Sequence, residues 1–125
     1  MNKSPPLIFV VEDTLDIRTA LEMVLEAEGF ATASATNGAE ALEQLRAGLR
    51  PQLILLDLNM PVMTGQEFLA ERRASGIALD VPVVVLAATL KSEPLPDVVE
   101  QLRKPVGIDS LLESISRGLA IETLD

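Results

Sequence analysis

Residues 53–65 read LILLDLNMPVMTG, and this stretch decides the fold. Its four leading apolar residues are typical of a short strand that is covered on both faces. The apolar run stops at Asp57, and Pro61 and Gly65 indicate a loop before the next helix. The stretch therefore predicts a buried strand, a loop and a helix in succession.

The same alternation continues on both sides of this stretch. Three further apolar runs and one weaker run predict strands: residues 7–11, 30–35, 83–86 and about 99–102. Stripes of apolar residues at helical spacing predict helices: residues 14–28, the segment after Asn37-Gly38, the segment around Phe68, and Ile108 to Leu119. Strands that alternate with helices imply βαβ units, so we predict an α/β fold with a doubly wound, five-stranded parallel sheet.

The stripes of the first and last helices also predict which side chains enter the core. In the first helix they are Ile17, Leu21, Val24 and Leu25. In the last helix they are Ile108, Leu111, Leu112, Ile115 and Leu119. Residues three or four positions apart share one face of a helix, so each set is expected to face the sheet.

The composition limits the chemistry that the chain can perform. Its 125 residues suit one domain, which we expect at residues 7–120 between short tails at 1–6 and 121–125. There is no cysteine and no histidine, so thiol chemistry, imidazole bases and zinc sites of those ligands are excluded. Any reaction must use carboxylates, hydroxyls, lysine or a hard cation.

Charge and hydropathy narrow the choice of partners and location. The formal net charge of -9 argues against direct binding to nucleic acid, which needs cationic contacts to phosphates. No apolar run approaches the roughly 20 residues that span a bilayer, so membrane insertion is not expected. We expect a cytoplasmic protein.

Charged residues stand at the expected carboxyl ends of three strands. Glu12-Asp13 follows the first strand, Asp57 ends the middle one, and Lys104 follows the last. Open parallel sheets carry their sites at these ends. Clustered carboxylates repel one another unless they are protonated or bridged by a hard divalent cation. A lysine beside them neutralises a carboxylate or holds a phosphoryl oxygen.

Each of these features also has a purely structural explanation when it is taken alone. Asp13 and Thr14 are residue types that cap helices, and Asp57 could start a turn. Pro61 and Gly65 are ordinary loop residues. Their joint placement at strand ends favours a site.

These residues resemble the receiver domains of two-component response regulators. The resemblance covers essentially the whole chain. It rests on Glu12-Asp13, on Asp57-Leu58-Asn59-Met60-Pro61 with Gly65 behind it, and on Lys104-Pro105. It implies a flavodoxin-like fold and a signalling module rather than an enzyme, assisting only its own phosphorylation and dephosphorylation.

The resemblance also implies a role for each residue of the site. Asp57 would be the phosphoacceptor, taking the group from a phosphohistidine on a histidine kinase or histidine phosphotransfer protein. The Mg²⁺ ligands would be Asp13, Asp57 and the main-chain carbonyl of Asn59, with Glu12 acting mainly through water. Positioning and charge neutralisation of this kind suit phosphoryl transfer.

Lys104 would pair first with Asp57 and then with the phosphoryl group. The resemblance further implies a cis peptide bond between Lys104 and Pro105. An unidentified downstream protein and a homodimer remain open as further partners.

The sequence departs from the family at its usual switch positions. Ala87 stands where the family has threonine or serine, and alanine cannot donate a hydrogen bond to a phosphoryl group. Thr89 lies two residues further on and could substitute if the loop bends back. Gln101 replaces the usual aromatic residue three positions before Lys104.

The segment between Ala87 and Lys104 is also shorter than in the family. It contains Pro94 and Pro96, and each proline removes an N–H donor and fixes φ. We therefore expect the fourth helix of the family to be shortened or lost. These departures leave open a second function, that of a degenerate receiver that docks proteins without being phosphorylated.

Two other functions fit less well. Asp57-Leu58-Asn59 resembles the start of haloacid-dehalogenase-type phosphatases, but Asn59 cannot act as their second acid. A flavodoxin-like cofactor carrier is disfavoured because Glu12-Asp13 would repel a phosphate at that position.

Overall fold

The computed structural model describes residues 4–90, 95 and 97–123. Within them the chain forms five strands, β1 (Leu7–Val11), β2 (Ala31–Ala35), β3 (Leu53–Asp57), β4 (Val83–Ala87) and β5 (Val98–Arg103). Four helices lie between or after them: α1 (Leu15–Ala27), α2 (Gly38–Arg46), α3 (Gly65–Ser75) and α4 (Ile108–Thr123). The predicted alternation of strands and helices is confirmed.

All neighbouring strands pair in parallel, in the order β2-β1-β3-β4-β5. The chain runs outward from β1 to β2 and then returns to β3 on the other side of β1. This reversal makes the carboxyl ends of β1 and β3 the switch point of a doubly wound sheet, where a crevice opens for a ligand.

The apolar runs of β1, β3 and β4 are buried because helices cover both faces of the sheet. Successive strand residues point to opposite faces. On one face, strand residues such as Phe9, Ile54 and Val85 pack with residues of α2 and α3. On the other face, Val10, Leu55 and their neighbours pack with residues of α1 and α4.

The prediction that Ile17 and Ile108 face the core is wrong. Ile17 is 41% exposed and Ile108 is 56% exposed, whereas Leu25 is fully buried. The two isoleucines line a groove between α1 and α4, together with Leu21 and other residues of both helices. Helical spacing places them on the inward stripe, but the two helices do not close over that end of the stripe.

The described part of the connection between β4 and β5, residues 88–90, 95 and 97, contains no helix. Pro94 and Pro96, on which the prediction of a shortened or lost helix rested, lie outside the described residues. Leu95 is partly buried and packs against the same core as α2 and α3.

Candidate functional site

Three carboxylates meet at the carboxyl end of the sheet. Glu12 and Asp13 follow β1, and Asp57 is the last residue of the neighbouring β3. One oxygen from each carboxylate lies within 4.8 Å of the others. Glu12 and Asp57 are 1% and 2% exposed, and Asp13 is half-buried. The strand-end argument correctly predicted that these residues would come together.

Lys104 reaches the same cluster from the end of β5. Its Nζ donates a hydrogen bond to Asp57 Oδ1 at 3.0 Å and lies 3.6 Å from Glu12 Oε1. Its backbone N–H donates to the carbonyl of Ala87 at 2.8 Å, which fixes the start of the loop against β4. The Lys104–Pro105 peptide bond is cis, as the resemblance implies.

Burial and the neighbouring charges act in opposite directions on the lysine. Desolvation acts to lower the pKa of Lys104, but the hydrogen bond and charge of Asp57, followed by the charge of Glu12, outweigh it and raise that pKa. Lys104 therefore stays protonated at neutral pH, and its ammonium group offsets part of the negative charge of the cluster.

The pKa of the buried Glu12 side chain is strongly raised. Burial raises the pKa of Glu12 to about 7, opposed by a hydrogen bond from the Thr14 N–H and reinforced by the charge of Asp57. Glu12 Oε1 is buried and accepts no hydrogen bond, because Lys104 Nζ is too distant. This oxygen therefore lacks a hydrogen-bond partner and lies beside two further carboxylates. Carboxylate oxygens arranged in this way fit as ligands of a hard cation such as Mg²⁺.

The loop after β3 is fixed tightly to Asp57. The Asn59 N–H donates to Asp57 Oδ1 at 3.2 Å, and the Gly65 N–H donates to the Leu58 carbonyl at 3.0 Å. A Cβ on Gly65 would lie 2.7 Å from the Asp57 carbonyl oxygen, closer than real Cβ contacts allow. Gly65 is thus required for the close approach of α3 to the site, which its interpretation as a loop residue missed.

Arg18 is a second residue that the sequence did not indicate. From the end of the first turn of α1 its guanidinium donates to the Glu12 carbonyl at 2.9 Å and to the Asp13 carbonyl at 3.5 Å. It therefore orients the main chain that carries the acidic pair. Only its position about six residues after that pair could have suggested this.

The capping explanation of Asp13 and Thr14 receives no support. Thr14 occupies the N-cap position of α1, but its side chain makes no capping hydrogen bond. Asp13 lies one residue before the N-cap and its carboxylate belongs to the acidic cluster.

The residues at the expected switch positions lie on β4 and β5 or just beyond β4. Ala87 is the last residue of β4, is buried, and pairs in register with Arg103. Thr89 is exposed two residues beyond the strand. Gln101 lies in β5 opposite Val85. Ala87 offers no hydroxyl group and Gln101 offers no aromatic ring at these positions.

A match to the sequence model of the "Response regulator receiver domain" covers residues 8–116. The chain belongs to the response regulator receiver family. Receiver domains are modules of two-component signalling rather than enzymes in the ordinary sense, and they interact with histidine kinases or phosphotransfer proteins.

A phosphotransferase and a response regulator resemble this receiver domain, the first in sequence and the second in structure. Sporulation initiation phosphotransferase F of Bacillus subtilis is 30% identical over 121 residues, covering 93% of this chain and 95% of that protein. The response regulator protein TrrA of Thermotoga maritima, solved in complex with Mg²⁺-BeF, superimposes with a TM-score of 0.79 at 30% identity, covering 90% of this chain and 97% of that one.

Longer regulators match over part of their length. The transcriptional regulatory protein PrrA of Mycobacterium tuberculosis is 43% identical over 83 residues, which are 66% of this chain. The match spans only 34% of PrrA. In the part of this receiver domain that the structure describes, no helix is both long enough and apolar enough to span a membrane.

Proposed function

We propose that this receiver domain accepts a phosphoryl group on Asp57 from a phosphohistidine of a partner protein. The observation that carries the proposal is the contact of Lys104 Nζ with Asp57 Oδ1 at 3.0 Å, beside the carboxylates of Glu12 and Asp13. The donor histidine must lie outside these 125 residues, because they contain no histidine. A histidine kinase or a histidine phosphotransfer protein supplies that chemistry.

The transfer is a displacement at phosphorus. Both hydrogen bonds described for the Asp57 carboxylate go to Oδ1, so we assign the attack to Oδ2. A P–O bond forms to Asp57 while the P–N bond of the phosphohistidine breaks and its electron pair returns to the ring nitrogen. An ionised carboxylate needs no general base for this step, which suits a site without histidine.

Lys104 and the loop after β3 position the reacting groups. Lys104 neutralises the carboxylate before transfer, and its flexible ammonium can follow a phosphoryl oxygen afterwards. The Asn59 N–H and the closely packed Gly65 hold Asp57 at the strand end. Phosphoryl transfer depends mainly on this kind of positioning and charge neutralisation.

The residues that would hold Mg²⁺ are Asp13, Asp57 and the main-chain carbonyl of Asn59, with Glu12 contributing mainly through water. The bound cation supplies charge neutralisation for the carboxylates and the phosphoryl oxygens. The similarity to TrrA, which was solved with Mg²⁺-BeF, supports this choice of metal.

The alternative, docking without phosphorylation, is not favoured. Ala87 and Gln101 alter the residues that relay the signal, but the acidic cluster and its lysine are intact. A chain that only docked proteins would have no need of a buried Glu12 beside Asp57, since burying carboxylates together costs free energy.

The proposal is tested by incubation with Mg²⁺ and acetyl phosphate, followed by intact-mass measurement. The wild-type chain is expected to gain the mass of one phosphoryl group, and Asp57→Asn is expected to gain none. Asp16→Asn, an exposed aspartate in the first turn of α1, serves as the matched control and should still be labelled. No gain by the wild type, or a gain that persists in Asp57→Asn, rules the proposal out.

A further inference from the structure

Val62 occupies an unusual backbone conformation at the tip of the loop after β3. Its φ is 68°, in the left-handed region, and the Met63 N–H donates to the Pro61 carbonyl at 2.7 Å. This hydrogen bond between residues two apart makes Val62 the centre of a γ-turn with a positive central φ, a rare and strained turn. The strain is greater for a β-branched residue than for glycine.

Packing in the core does not explain why this residue is a valine. Val62 is 82% exposed, the most exposed of the large apolar side chains described. Its neighbours face the other way: Met60 is 6% exposed, and Met63 is partly buried and packs against the core. The turn thus directs two methionines inward and presents one apolar side chain to solvent.

The loop places this side chain at the rim of the site. Its ends are joined by the hydrogen bond from the Gly65 N–H to the Leu58 carbonyl, and Gly65 lies against the Asp57 carbonyl. Val62 is three positions before Gly65, so their Cα atoms lie at most about 11 Å apart. A protein that brings a phosphohistidine to Asp57 therefore comes close to the Val62 side chain.

We infer that Val62 is a specificity-determining contact, which inserts into an apolar recess on the phosphodonor protein. This inference rests on the proposed function. A strained and exposed apolar residue beside a reactive group is expected where the gain comes from a partner rather than from folding. A small phosphodonor such as acetyl phosphate does not need the contact.

The test compares a protein donor with a small donor on the same variants. Histidine kinases encoded in the organism from which the sequence comes are autophosphorylated with ATP, and its histidine phosphotransfer proteins are phosphorylated by those kinases. Each purified phosphorylated protein is mixed with the wild-type chain, and the fastest donor is kept as the probe. For each variant, kcat/KM for transfer from that donor is divided by the rate of labelling with acetyl phosphate.

The ratio is expected to fall about tenfold in Val62→Gly, a change of about 1.4 kcal/mol that matches loss of one buried apolar contact. Val62→Ile should keep the ratio near that of wild type. Leu79→Gly is the matched control, because Leu79 is also exposed, at 47%. It precedes β4 and so lies at the amino ends of the strands, whereas Asp57 lies at a carboxyl end. The Tm of Val62→Gly should not fall, because glycine accepts a positive φ.

An unchanged ratio in Val62→Gly, or an equal fall in Leu79→Gly, overturns the inference. So does labelling of the wild type by acetyl phosphate with no transfer from any of these protein donors. Failure of acetyl phosphate to label the wild type is a different result, because it removes the proposed function itself.

Discussion

The Nζ of Lys104 lies 3.0 Å from Asp57 Oδ1, although the two residues are 47 positions apart along the chain. The contact joins the ends of β3 and β5 across β4 and brings a cation to a carboxylate that is 2% exposed. The same ammonium group lies 3.6 Å from Glu12 Oε1, so one cation serves two buried acids.

Removal of this cation should destabilise the domain when no divalent cation is present. Lys104→Met leaves Glu12 and Asp57 without their shared partner, and we expect the free energy of unfolding to fall by about 1–3 kcal/mol. Urea denaturation at neutral pH with a chelator measures the change. Arg46→Met is the control, because Arg46 and Glu71 form an exposed pair at 3.7 Å that is worth little. Equal losses in the two variants would contradict the account.

The stability of the cation-free domain should depend on pH through Glu12. The pKa of Glu12 is about 7 in the folded state against 4.5 in the unfolded chain, so the folded state holds the extra proton between these values. The free energy of unfolding should therefore fall as pH rises from 4.5 to about 7 and level off above it. The total contribution is at most roughly 3 kcal/mol.

Glu12→Gln should lose this slope, since a glutamine does not titrate. Glu43→Gln, at an exposed position on α2, should keep it. Chemical denaturation across the pH window, with a chelator present throughout, provides the comparison. A slope that survives in Glu12→Gln would assign the titration to another group.

Mg²⁺ should raise the Tm of the wild-type chain, because a ligand that binds only the folded state stabilises it. Asp13→Asn should weaken this response by at least about tenfold in Mg²⁺ concentration, a loss of about 1.4 kcal/mol in binding. Without Mg²⁺ the variant should be as stable as wild type or more so, because one of three clustered charges is gone. Asp16→Asn, one turn away and exposed, should respond as wild type.

Gly65→Ala adds only one methyl group, but we expect it to disturb the site strongly. The added Cβ would meet the Asp57 carbonyl oxygen at 2.7 Å and Leu58 Cα at 2.8 Å, and both are backbone atoms that move only with the strand end. We expect a loss of about 1–3 kcal/mol in stability, as in overpacked cores, together with weaker Mg²⁺ binding. Gly107→Ala is the control, because its Cβ would have no atom within 4 Å.

Much of the fold follows from the sequence because the strands of a doubly wound sheet are apolar on both faces. The runs at β1, β3 and β4 have this property, and they are the three central strands. β5 was harder to delimit: it was expected at about 99–102 and extends from Val98 to Arg103. The register of its pairing with β4 shifts between Val83 and Val84, and no sequence pattern predicts this irregularity.

The candidate site was predictable where its residues end strands, since parallel strands bring their carboxyl ends to one edge. The contribution of Arg18 was not predictable, because it depends on the orientation of α1 relative to the main chain of Glu12 and Asp13. The positive φ of Val62 was also hidden, because valine is a residue type that argues against it. Ile17 was assigned to the core because periodicity describes a helix face and not what covers it.

The two edges of the sheet determine how copies of the domain can associate. β5 carries Glu100 and Arg103, and charged residues on an edge strand discourage pairing with another chain. On β2, Gln44 Nε2 donates a hydrogen bond to the Ser34 carbonyl at 2.9 Å, so that backbone acceptor already has a partner within the domain. Both edges thus oppose extension of the sheet from one molecule to the next, which disfavours edge-to-edge pairing of two copies.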